Sequence, residues 1–163
     1  MKAITSKALG PTLGMYSHGM VAPAGEIVVV AGQVGMDRKG RLAGPGDVVA
    51  QTRQTFENIR AVLEAAGATM GQVARFQTFL THAADIEGFM EARREVFPRY
   101  FPDRVYPPNT ILVVSRLVQP ELLVEIEAMA IKPAGAPAPK RRSASPRAPK
   151  AVRAGRRSAR RRT

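Results

Sequence analysis

The chain has no cysteine and no tryptophan, only two histidines among 163 residues, and no acidic residue beyond Glu127. Without cysteine there are no disulfides and no thiolate chemistry, and the redox compartment cannot be read from the sequence. His18 and His82 are too few and too far apart to build a metal site by themselves. No run approaches the roughly 20 apolar residues of a membrane-spanning helix, and the N-terminus lacks the basic and then apolar stretch of a secretory signal. The expectation is a soluble, cytoplasmic protein with no membrane partner. The missing acids also divide the chain. Residues 1–131 hold all 13 acidic residues and 13 of the 25 Lys and Arg, and so sum to zero; residues 132–163 hold the other 12 basic residues and the whole formal charge of +12.

Residues 1–131 are long enough to bury a core as one domain. Residues 132–163 are rich in Lys, Arg, Pro, Ala and Ser, with almost nothing to bury, and are expected to be a disordered tail. Within it, residues 140–163 suit nonspecific electrostatic contact with nucleic acid or another polyanion. No aromatic residue is interleaved, so base stacking is not on offer. The alternative is a solvated extension without a dedicated partner.

In the first domain, Lys2–Ser6 and Tyr16–Val21 read as short strands. Glu26–Val34 is a β-branched apolar run bounded by glycine, the pattern of a central strand buried on both faces. The turn Pro23-Ala24-Gly25 is expected to join the second and third strands as a hairpin. Asp47 is placed to cap a helix from Val48 to Ala66, with apolar residues at helical spacing and Gly67 just past its end. Val73–Leu80 reads as a fourth strand. Asp85 then caps a second helix to about Phe97, with Ile86, Phe89, Met90, Arg93 and Phe97 on one side and Pro98 stopping it. Thr110–Val114 and the stretch after Gln119-Pro120-Glu121 read as the last two strands, making Tyr106–Ile131 a C-terminal hairpin. The order β-β-β-α-β-α-β-β predicts an α+β fold: a mixed sheet with both helices on one face. Nothing is left to cover the other face, and oligomerisation is the natural solution.

The last strand frames the functional question. With period two, Leu122, Val124, Ile126, Ala128 and Ala130 take one face, and Leu123, Glu125, Glu127, Met129 and Ile131 take the other. Two acids sharing a face with three apolar residues fit either a face half-covered by another subunit or the lining of a cleft.

The succession Gly14-Met15-Tyr16-Ser17-His18-Gly19, Val30-Ala31-Gly32-Gln33-Val34, Gln51-Thr52, Asn58-Ile59-Arg60-Ala61-Val62-Leu63-Glu64-Ala65-Ala66-Gly67, Ser115-Arg116-Leu117 and Val124-Glu125-Ile126-Glu127-Ala128-Met129-Ala130 resembles the Rid family. This is the reactive intermediate deaminase or YjgF family, formerly grouped with L-PSP endoribonucleases. The likeness covers residues 1–131 and none of the tail. It implies a chorismate-mutase-like fold assembled as a homotrimer with clefts between subunits. It also implies hydrolysis of enamines and imines, such as 2-aminoacrylate, to a 2-keto acid and ammonia, with no metal or organic cofactor. In the family an arginine grips the substrate carboxylate, and a glutamate with nearby backbone groups positions the attacking water.

Carried onto this chain, the resemblance makes Glu125 the water-handling glutamate and assigns Tyr16, Gly32 and Ala31 to the substrate cleft, with Ala31 standing where serine is usual. The arginine of the family's Pro-Ala-Arg-Ser segment falls on Asn109, followed by Thr110. Asparagine offers a neutral amide instead of a charged planar fork, a loss typically of about 1.5–3 kcal/mol, so weak activity on imino acids is expected. Arg116 matches a different arginine near the turn and is not a substitute. Other readings stay open. Glu125 also suits an inter-subunit hydrogen bond and Glu127 a structural role, while Tyr16 fits an interface as well as a cleft. Asn109 and Thr110 suit a polar uncharged ligand or simply begin a strand. His18, placed on the same side of its strand as Tyr16, fits a proton carrier or a surface residue, and His82 an ordinary loop. Gly40, Gly44 and Gly46 do not form a phosphate-binding pattern. Beside the enzyme stands a non-catalytic reading, a small-ligand-binding trimer tethered to nucleic acid by its tail. A ribonuclease ranks behind both, because no His/Lys constellation supports strand cleavage.

Overall fold

The structure, a computed structural model, describes residues 1–134; the rest of the basic tail, including residues 140–163, lies outside the described residues. Six strands and two helices run in the order β1 (Lys2–Ile4), β2 (Gly19–Val21), β3 (Gly25–Val34), α1 (Val48–Ala65), β4 (Val73–Leu80), α2 (Ile86–Tyr100), β5 (Asn109–Val113) and β6 (Val124–Pro133). The element types and their order are as the sequence predicts.

The strand pairing differs from the expectation. β1 and β2 form their own antiparallel ribbon, and the main sheet has the order β3-β6-β4-β5. β2 therefore does not pair with β3 across the Pro23–Gly25 turn. β5 and β6 are not a hairpin either: β5 lies parallel to β4 at the edge, while β6 inserts antiparallel between β3 and β4. The ten residues between β5 and β6 are too many for a tight hairpin loop, and they let the chain pass over β4 to the centre. β3 is consequently an edge strand, not a doubly buried central one. Its core face is Val28 and Val30, whereas Ile27 and Val29 are 64% and 71% exposed on the other.

α1 begins as expected. The Asp47 carboxylate accepts from the Ala50 N–H at 3.0 Å, and Gly67, at φ +75°, takes the left-handed conformation that ends the helix. α2 departs at both ends. A short 3-10 turn, Ala83–Asp85, leads into it and Asp85 makes no side-chain cap. Pro98 does not stop the helix, which runs on to Tyr100 with Phe101 N–H returning to Phe97 O at 2.7 Å. The aromatic side chains on this turn explain the continuation. Phe97 packs on Phe56 and Phe101 at ring separations of 5.3 and 5.1 Å, a gain that outweighs the single backbone bond proline forfeits. Both helices cover one face of the sheet around Phe56, Ile59, Phe76, Phe89, Phe97 and Ile126. The opposite face is open.

Candidate functional site

β6 presents the two faces read from its alternation. Val124, Ile126, Ala128 and Ala130 are buried under the helices, and Glu125, Glu127 and Met129 point to the open side. The lead-in to β6 is fixed from α1 by the buried Gln51. Its Oε1 accepts from Leu123 N at 2.9 Å, and its Nε2 donates to Glu121 O at 3.0 Å. Opposite Glu127, and next to the Val34 that pairs with Glu125, β3 carries a bulge. Val30 pairs with Ala128 and Gln33 with Ile126, so Ala31 and Gly32 together stand against one residue of β6. The bulge brings the Gly32 backbone against Glu125 so closely that a Cβ there would lie 1.8 Å from Glu125 Oε1. Only glycine admits the carboxylate in this position. Half-burial raises the Glu125 pKa, and the charge of Glu127 on the same face raises it further. The result is a carboxyl with increased proton affinity set against main chain, a group suited to positioning water or exchanging a proton.

Ala31 is exposed on the same side and lines a shallow recess of about 120 Å³ with Val29, Arg75, Gln77, Glu127 and Met129. Thr110 is in register with Gln77 and shares that face. Asn109 does not. It is in register with Phe76 and accepts from the Thr78 hydroxyl at 3.1 Å, which holds its amide towards the helix side of β4. Tyr16 lies before β2, not in it, and its hydroxyl accepts from Leu13 N at 3.2 Å. It borders a separate cavity of about 320 Å³ with Thr12, His18, Arg104 and Tyr106, and none of Glu125, Gly32 or Ala31 lines that cavity. Residues 16–18 are not extended strand, so the shared orientation expected for Tyr16 and His18 loses its basis; His18 Nδ1 accepts from Ser6 N at 3.3 Å. Arg116 donates to Leu117 O at 3.2 Å and stays at the turn. The proposed site residues thus fall in three places: Glu125, Ala31, Gly32 and Thr110 on the open sheet face, Tyr16 beside the N-terminal loop, and Asn109 on the helix side of β4.

A cavity of about 560 Å³ beside α1 and α2 is not a competing site. Its charges are already paired: Glu57 accepts from Tyr100 Oη at 2.7 Å and Arg60 at 2.8 Å, and Arg60 also meets Glu64 at 2.5 Å. Among the described residues no cluster of three potential metal ligands occurs. No helix among them is long and apolar enough to cross a membrane.

A family model described as "Endoribonuclease L-PSP" matches residues 5–132. The chain belongs to the Rid/YjgF/L-PSP family. A RutC family protein of Pyrococcus horikoshii is 38% identical to this Rid protein over 120 residues, covering 74% of this chain and 89% of the relative. The solved Rid family protein YyfB of Yersinia pestis matches with a TM-score of 0.71 at 30% identity, over 80% of this chain and 98% of the other. TdcF of E. coli, solved with bound serine, matches with a TM-score of 0.60 at 27% identity, over 81% and 99%. The α+β fold of this Rid protein is therefore that of the YjgF structures. Two buried polar residues were assigned no role in the sequence: Gln51, which anchors β6, and Arg93, which is 1% exposed, donates from Nη2 to the Met15 carbonyl and meets no carboxylate among the described residues. Each sits in the apolar stripe of its helix, and a long polar side chain at such a position is the signal that marks them.

Proposed function

We propose that this Rid protein hydrolyses a small enamine or imine, using Glu125 to orient and deprotonate the attacking water in a cleft completed by a neighbouring copy. The observation that carries this reading is the Glu125 carboxyl, half-buried and raised in pKa, pressed against the backbone of Gly32. The separation of Tyr16 from Glu125 on one chain favours a cleft in which one subunit gives the Glu125 face and another the Tyr16 loop. A bound serine in TdcF supports a small polar metabolite as ligand. Position 109 supplies no cation, so imino acids are expected to be turned over slowly. The test is keto-acid release from imines generated in situ by an amino-acid oxidase. Wild-type protein should accelerate release over the uncatalysed rate and Glu125→Ala should not; equal rates for the two would exclude catalysis at Glu125.

The 12 basic residues and absent acids of 132–163 favour a second, compatible property, attachment to nucleic acid through the tail. Affinity for a random-sequence oligonucleotide should fall steeply with salt and vanish on truncation at Pro133. Binding kept by the truncated chain would place the interaction elsewhere.

A further inference from the structure

α2 buries an arginine that has no acidic partner among the described residues. Arg93 is 1% exposed, with its guanidinium 4.4 Å from the centre of the Phe97 ring and 5.5 Å from that of Phe89. Nη2 donates to the carbonyl of Met15, Nη1 lies 3.6 Å from the Met90 sulfur, and the buried Nε has no partner. Burial lowers its pKa to about 10, which leaves it cationic at neutral pH. A buried cation held by a neutral acceptor is costly, and an apolar side chain of similar length would serve the packing of α2 better. The reason for a cation here therefore lies in what it holds.

It holds the loop that carries Tyr16. Residues 14–17 form neither helix nor strand, so their course is set by anchors outside the loop. On one side of Tyr16, Arg93 takes the Met15 carbonyl, and the Met90 methyl packs so near Gly14 that an added Cβ would lie 3.6 Å from it. On the other side, the Ser17 hydroxyl donates to Tyr106 O at 2.8 Å. The Tyr106 ring in turn stands 5.8 Å from Phe97, the ring Arg93 covers. The bonds of Tyr16 itself stay within the loop: its N–H donates to Gly14 O at 2.9 Å and its hydroxyl accepts from Leu13 N at 3.2 Å. Neither can orient Tyr16 relative to the domain. The Met15 carbonyl can, because it shares one planar peptide unit with the Tyr16 N–H. With Arg93 on the oxygen and Gly14 O on the N–H, both polar atoms of that unit are held, and the bond to Arg93 is the charge-assisted one. Tyr16 then borders the cavity it shares with His18, Arg104 and Tyr106.

We infer that Arg93 is a positioning residue: by holding the Met15 carbonyl it fixes the Met15–Tyr16 peptide plane and so the direction in which the Tyr16 side chain leaves the main chain. This half of the cleft is thereby set before a ligand arrives. Arg93 does not touch the ligand and acts only through Tyr16. That the fixed wall serves turnover rests on the deaminase reading above; the anchoring does not.

The experiment measures Tm, amide hydrogen exchange and imine hydrolysis on full-length wild type, Arg93→Met and Arg93→Lys. Arg93→Met should not lower Tm, because an apolar side chain replaces an unpaired buried charge. The Tyr16 amide should nevertheless exchange about tenfold faster than in wild type, with amides of α2 unchanged. Arg93→Lys keeps a donor without the fork and should restore part of this protection. In turnover, Arg93→Met should raise KM more than it lowers kcat, and should add nothing to Tyr16→Ala, since the two changes remove the same wall. Wild-type exchange at Tyr16 in Arg93→Met would overturn the inference. So would faster exchange throughout α2 with a fall in Tm, which makes Arg93 a core staple, and so would a rise in KM that persists in full on Tyr16→Ala. Faster Tyr16 exchange with unchanged KM in an active enzyme would separate the loop from the cleft and overturn the inference too. Should Arg93→Met fail to fold, Arg93→Gln, uncharged and too short to reach the Met15 carbonyl, decides by the same exchange criterion. Exchange is read without turnover, so an inactive wild type whose Tyr16 amide depends on Arg93 would sink the deaminase reading alone.

Discussion

Glu125 and Gly32 act as a pair, and a methyl group tests the pairing. Gly32→Ala would put its Cβ within 1.8 Å of Glu125 Oε1 and 2.7 Å of Cδ. The atoms in the way belong to the end of a flexible side chain, so the carboxylate is expected to move while the sheet stays. Imine hydrolysis should drop towards the Glu125→Ala level with Tm changed by only a few degrees, about 1 kcal/mol. Gly25→Ala is the contrast, since its Cβ would meet the Lys132 carbonyl at 2.2 Å and should lower Tm more with no specific effect on chemistry. The raised pKa of Glu125 has a consequence for stability. The folded state holds this proton above 4.5, the pKa of an unperturbed glutamate, more tightly than the unfolded state does. Glu125 ionisation therefore costs folding free energy as pH rises through its folded pKa, and the cost is absent in acid. Glu125→Gln removes it, so the Tm of this variant minus that of wild type should be larger at pH 7 than at pH 4; a difference that shrinks with rising pH would contradict the burial that sets the shift.

At the scale of elements, the position of Glu125 is set by α1 through Gln51. Gln51→Ala leaves Leu123 N–H and Glu121 C=O without their partner, a loss of about 1–3 kcal/mol, measurable by urea unfolding. Activity should fall with it, since the register of β6 at Val124 and Glu125 is anchored one residue upstream. The strands themselves were legible. Val73–Leu80 has the bounds its apolar pattern predicts, and the alternation of β6 places Glu125 and Glu127 on the open side as read. Their partners were not. An apolar run states that a strand is buried against something, but β3 and β6 have equally apolar sequences and only the ten-residue excursion after β5 determines which is central. Pro98 misled for a related reason: a proline's local cost is visible in sequence, while the aromatic packing that offsets it comes from α1 and β4.

For the whole molecule, the open sheet face is the feature to be explained. Ile27 and Val29 on β3 continue an apolar surface to Met129 on β6, and patches of this kind mark interaction surfaces. We propose that other copies of the chain cover it. Val29→Asp places a charge in the middle of this surface and should shift the mass measured by light scattering from an oligomer towards the monomer, with loss of activity. An unaltered oligomer would move the interface off this face.

The sequence by itself determined the types and order of the elements, the face each residue of β6 takes, the family and the neutrality of position 109, because periodicity, caps and motif residues are local properties of the chain. Only the tertiary structure decided that β6 lies at the centre and β3 at the edge, that Asn109 turns away from the Glu125 face to Thr78, and that Arg93 is left without a carboxylate. Each of these depends on which segments meet in space. A lone arginine in a helical stripe reads the same whether an acid awaits it or not.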